Sequence, residues 1–106
     1  MDETQIEQAV QAAGKTAPRI TPDHIDRLIT GARYHVFPGT TVTVCCLELQ
    51  NGYQVVGWSA AASAENFDAL IGEQIARAEA RDKIWALEGY LLRQQLSQAE
   101  DLRGNT

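Results

Sequence analysis

Two arginines carry the clearest chemical possibility in this chain. Arg77 and Arg81 lie four residues apart in the stretch NFDALIGEQIARAEARDKIWALEGYLLRQQL, residues 66–96. On a helix, side chains at that spacing are neighbours. Two adjacent guanidiniums repel unless something anionic lies between them. Two arrangements would satisfy them. One is ion pairing with Glu88, Glu73 or Asp82, the long stems covering the edge of the core. The other is an anion site at the edge of an apolar groove, where the planar guanidinium suits phosphate or carboxylate by bidentate bonding.

The remaining reactive groups do not assemble into a reaction. His24 and His35 are the only histidines. A Cys/His nucleophile pair would need His35 beside Cys45 or Cys46, and no third group to orient it is evident. Two histidines and two adjacent cysteines lack zinc spacing. Neither common Gly-rich phosphate loop is present. The cysteines, consecutive in sequence, would point to opposite faces of a strand and read as free thiols of a reducing cytoplasm. The expectation is a chain without catalytic residues, metal or cofactor.

The chain is a single domain's length, 106 residues, with a formal net charge of −5. An acidic surface argues against a nucleic-acid duplex as partner, though a few local arginines could hold a small nucleotide. No stretch approaches a membrane span, and the N-terminus lacks the pattern of a signal peptide. A cytoplasmic protein is expected. A core this modest makes oligomerisation a plausible stabiliser.

The elements that must position the arginines follow from pattern. Residues 1–19 form an arm, mobile or docked on another subunit, with a short helix over residues 2–13 and a linker from Gly14 to Arg19. Residues 20–98 form one domain and 99–106 a polar tail, frayed from Ser97. Thr21-Pro22-Asp23 starts a helix that Gly31 ends. Arg33–Phe37 is a strand, and Phe37-Pro38-Gly39-Thr40 a type II turn. TVTVCCLEL (41–49) is the strongest strand, and Asn51-Gly52 a two-residue hairpin turn. That turn would set Leu49 opposite Gln54, Leu47 opposite Val56 and Cys45 opposite Trp58. The long helix follows, capped by Asn66 or Ser63. Its apolar arc is Phe67, Leu70, Ile71, Ala78, Trp85, Leu92 and Leu96, with Gly72 on the exposed side and Gly89 marking a bend or close backbone approach. The predicted fold is α+β: a three-stranded antiparallel meander packed on one long C-terminal helix, with a shorter helix before it. The helix is too long for the domain, so it is expected in the interface of at least a dimer.

The segments YHVFPGTTVTVCCLEL, NGYQVVG and ENFDALIGEQIARAEARDKIWALEGYLL resemble a family of small tailed-phage and prophage accessory proteins of unknown function. The most specific part is Lys83, Ile84, Trp85, Leu87, Glu88, Gly89 and Tyr90. Family members often carry Cys-x-Asp-Pro before Asn-Phe-Asp, where this chain has Ala61-Ala62-Ser63-Ala64-Glu65. The family is similar in turn to the first class of Thoeris anti-defence sponge proteins, which are oligomers that sequester cyclic ADP-ribose-type or cyclic oligonucleotide immune signals without cleaving them. That resemblance implies arginines of the long helix on phosphates and an aromatic on a base. The residues implied here are Arg77, Arg81, Tyr90 and Asn66. The competing reading is a phage interaction or structural module with no small-molecule ligand.

Overall fold

The computed structural model describes residues 2–15 and 17–104; Thr16 of the expected linker and residues 105–106 of the expected tail lie outside the described residues, as does Met1. Helix α1 spans Glu3–Ala12 and α2 Pro22–Leu28. Strands β1 (Ile29–Val36), β2 (Val42–Leu49) and β3 (Gln54–Ala60) form an antiparallel sheet in the order β1-β2-β3. A short 3-10 turn, Ala64–Asn66, leads to helix α3, Ala69–Gly104. This is the predicted meander on one long helix.

Asp2 caps α1 in a capping box, its carboxylate accepting from the Gln5 N–H at 2.8 Å while the Gln5 side chain accepts from the Asp2 N–H at 3.0 Å. Thr21 caps α2 by accepting from the His24 N–H. That helix stops at Leu28 rather than at Gly31, because β-branched Ile29 and Thr30 favour extended backbone. Strand β1 therefore starts four residues earlier than predicted and carries an irregularity between Ile29 and Gly31. The Pro38-Gly39 turn is as expected, with Gly39 at φ 76° and the Thr40 N–H donating to the Phe37 carbonyl.

The second turn differs from expectation. The Gly52 N–H donates to the Leu49 carbonyl, Gly52 sits at φ 88°, and the Leu49 N–H donates to the Tyr53 carbonyl. Asn51 has no positive φ. Gln50, Asn51 and Gly52 thus make a three-residue loop, with glycine in the left-handed position. The extra residue moves the register by one. Cys45 opposes Gly57, Leu47 opposes Val55, and Trp58 opposes Val44.

Register decides the core. Thr43, Cys45, Leu47 and Leu49 of β2, with Val55, Gly57 and Ser59 of β3, face α3 and are buried. On the helix the buried residues are Ala76, Ala80 and Ile84. A Cβ at Gly57 would overlap the Ala76 carbonyl oxygen and the Ala80 nitrogen, and one at Gly72 would lie 2.8 Å from Thr43 Oγ1. Small residues on both sides therefore let the helix backbone sit directly on the sheet. Ser59 Oγ donates to the Gly72 carbonyl at 2.7 Å across this contact. The expected apolar arc is not the buried one. Leu70 and Ile71 are exposed, and Gly72 faces the sheet. Gly89 has open space where a Cβ would stand, and α3 continues through it.

Asp68, not Asn66 or Ser63, caps α3, its carboxylate accepting from the Ile71 N–H at 3.1 Å. The helix also outruns the predicted fraying at Ser97, carrying an Arg93–Glu100 ion pair at 2.7 Å. Thirty-six residues extend about 54 Å at 1.5 Å each. The molecule measures 64 × 32 × 20 Å with a radius of gyration of 17.9 Å, against about 13 Å for a compact domain near this size.

Candidate functional site

Arg81 lies where α3 passes α2 and the N-terminal helix. Its Nε donates to Asp26 at 2.9 Å, its terminal nitrogens grip both oxygens of Glu3, and one reaches the Pro22 carbonyl at 3.4 Å. The side chain is 18% exposed. The bonds to Glu3, with those to Asp26, hold its guanidinium well above the usual arginine range. Its partners are thus not Glu88, Glu73 or Asp82 but two acids far away in sequence.

The Glu3 contact also places the arm. Expected to be mobile or to rest on another subunit, α1 lies against its own chain. Arg19 reinforces it by donating to both oxygens of Glu7, one at 2.7 Å. That bond holds the Glu7 carboxyl below the ordinary range. The stability it contributes is present above the unfolded carboxyl pKa and is lost as pH falls through the lower folded value. No residue of α1 is buried. Between it and α3 runs a groove of about 460 Å³, lined by Ile6 and Val10 of α1 and by Ile20 and Trp85.

Arg77 stands one turn before Arg81 and is half-buried. It makes no salt bridge among the described residues. Its charge acts on Tyr34 and Cys45, where Glu73 acts in the opposite sense. Burial, the largest influence on both groups, pushes the Tyr34 hydroxyl and the Cys45 thiol upward. Of the two arginines, Arg77 is thus the one without a salt bridge among the described residues.

The other two candidates lie apart. Tyr90 is 75% exposed on α3. Asn66 is exposed in the 3-10 turn, beside a cavity of about 140 Å³ lined by Phe67, Ile71 and Thr41. At 1.5 Å per residue, Tyr90 is about 20 Å along the helix from Arg77 and about 30 Å from the turn. One chain does not bring the four residues onto one small ligand.

The histidines are also separate. His24 Nε2 lies 3.6 Å from Glu88. His35 opposes Val44 and meets Phe37 edge to face, with ring centres 4.8 Å apart. Among the described residues, no three His, Cys, Asp or Glu side chains cluster to hold a metal, and no helix is long and apolar enough to cross a membrane. Sequence reasoning missed Glu3, Asp26 and the Glu7–Arg19 pair. Glu3 and Glu7 do share one face of α1 at four-residue spacing, but their partners are remote in sequence.

The geometry defines a two-layer α+β protein whose sheet is covered on one face by a single helix. The chain belongs to the Phage protein (N4 Gp49/phage Sf6 gene 66) family, whose profile matches residues 20–96. The match takes in α2, the sheet and most of α3, and leaves α1 outside. No curated protein and no solved structure matches the chain.

Proposed function

We propose that this phage-family protein is a non-catalytic binding protein that works as a homo-oligomer and sequesters an anionic nucleotide signal. The observation that carries the ligand class is Arg77, a half-buried cation without a salt bridge among the described residues, in a chain of net charge −5. It stands close to Tyr34, an aromatic that is 37% exposed. Tyr90 and Asn66 lie too far from Arg77 along α3 to share one small ligand with it, so in this reading they stand outside the site. The resemblance to signal sponges supports both the ligand class and the oligomer. Arg81, saturated by Glu3 and Asp26, takes a structural part in this reading.

A thermal-shift screen against cyclic dinucleotides, cyclic trinucleotides and cyclic ADP-ribose isomers tests it. A ligand at about 100 times its Kd adds roughly 2.7 kcal/mol of apparent stability. Arg77→Ala should then weaken binding by about one to two decades, the loss of charge-assisted hydrogen bonds. Arg81→Ala should instead lower the melting temperature without ligand, at a cost of about 1–2 kcal/mol, by stranding two carboxylates. If no nucleotide shifts the melting temperature, or Arg77→Ala binds as tightly as wild type, the proposal fails. The saturation of Arg81 favours a second reading, a phage interaction or structural module with no small-molecule ligand, which takes over in that case.

A further inference from the structure

We infer that the outer face of the sheet, the face turned away from α3, is the surface through which copies of this chain pair. This deepens the homo-oligomeric part of the proposed function and rests on it.

The face is apolar at its centre, where a solvated sheet would be polar, with Arg33, His35, Glu48 and Gln54 around it. It carries Val42, Val44 and Cys46 of β2 and Val56 and Trp58 of β3, with Phe37 at its margin. Trp58 is 55% exposed, Phe37 48% and Val56 44%. Three strands at about 4.8 Å and eight residues at about 3.3 Å make a plane of roughly 380 Å². Side chains raise its accessible area above that projection, towards the roughly 800 Å² per partner of a stable interface. Contiguous apolar patches beyond a few hundred Å² are uncommon on monomers.

Charge does not oppose a second copy at this face. The chain carries −5, so most approaches of one copy to another are repulsive. On this face the opposite charges Arg33 and Glu48 bond to each other at 2.8 Å and cancel. The core favours a second copy. Only eight apolar residues are buried among the described residues, so the uncovered layer needs a partner present whenever the chain is. The edge of β3 offers a poorer route, because Lys83 Nζ donates to the Val56 carbonyl and obstructs strand addition there.

Light scattering on the full chain at high micromolar concentration tests this. Wild type should have at least the mass of a dimer. Trp58→Glu and Val56→Glu should reduce that mass at least twofold while keeping the far-UV circular dichroism of wild type. Leu70→Glu, a substitution at an exposed residue of α3 (72%), should leave it unchanged. Trp58→Ser adds no charge and answers the case in which a glutamate unfolds the chain: lower mass with native dichroism supports the pairing, and wild-type mass overturns it. A monomeric wild type overturns it, including the case in which the face binds a different protein. So does dissociation by Leu70→Glu with Trp58→Glu intact, which would put the contact on the helix. Each of these outcomes is read separately from the Arg77 binding measurement.

Discussion

Cys45 and Cys46 are consecutive, yet they belong to two different surfaces of one sheet. The face that holds Cys45 meets α3 through Thr43, Leu47, Val55 and Gly57 and is buried along β2 and β3, while Ala32 and Tyr34 of β1 stay exposed. The face that holds Cys46 carries Val44, Val56 and Trp58 beside Arg33, His35 and Glu48, and none of the described elements covers it. The two also differ in size. Where α3 crosses β3 the inner face presents Gly57 and Ser59 to Gly72, Ala76 and Ala80, so backbones approach closely, with Leu47, Val55 and Ile84 filling the core beside them. The outer face presents a tryptophan and valines, which suit a second apolar layer at about 10 Å.

The largest expected effect comes from spoiling the inner contact. Gly57→Ala puts a methyl group into the backbone of α3 at Ala76 and Ala80. Overpacking usually costs about 1–3 kcal/mol, and more where backbone must move. A loss of at least about 3 kcal/mol is expected here, which lowers the melting temperature by more than about 10 °C in a domain of this size. Thermal denaturation followed by circular dichroism checks it. A near-wild-type melt would show that the helix does not sit on the strand as described.

A smaller effect probes what assigns residues to the two faces. The loop Gln50-Asn51-Gly52 sets the register, and a loop one residue shorter would turn Trp58 inward. Gly52→Ala forces a left-handed conformation on alanine, at about 1–2 kcal/mol. Asn51→Ala removes only the bond from the Tyr53 N–H to the Asn51 side chain, 2.9 Å long, worth about 0.5–1.5 kcal/mol. Gly52→Ala should therefore melt lower than Asn51→Ala. The reverse order would indicate that Asn51, not Gly52, carries the strained backbone.

These details mark how far the sequence could be read. The meander was legible because Thr41–Leu49 is rich in β-branched residues and its neighbours carry Pro-Gly and Asn-Gly. The register was not, since Asn-Gly also serves a three-residue loop with the glycine left-handed. The long helix was legible, but its buried side was not. A wheel weighted by large apolar residues chose Leu70 and Ile71, whereas the contact uses Gly72, Ala76 and Ala80, whose importance lies in lacking side chain. The arginines were legible as a pair. Their different surroundings were not, because Arg81 finds Glu3 across 78 residues and no local spacing encodes that.

The most direct measurement is the alkylation rate of the two thiols at rising protein concentration. Cys45 should react slowly throughout, since burial pushes its thiol up. A folded pKa raised in this way contributes stability below the unfolded thiol pKa and loses it as pH rises through the folded value. The trial therefore belongs near neutral pH. Cys46 should react readily in dilute protein and progressively more slowly as concentration rises, because a second copy covers it, and in Trp58→Glu its rate should stay high. A Cys46 rate independent of concentration in the wild-type protein would contradict the account, leaving the outer face open to solvent.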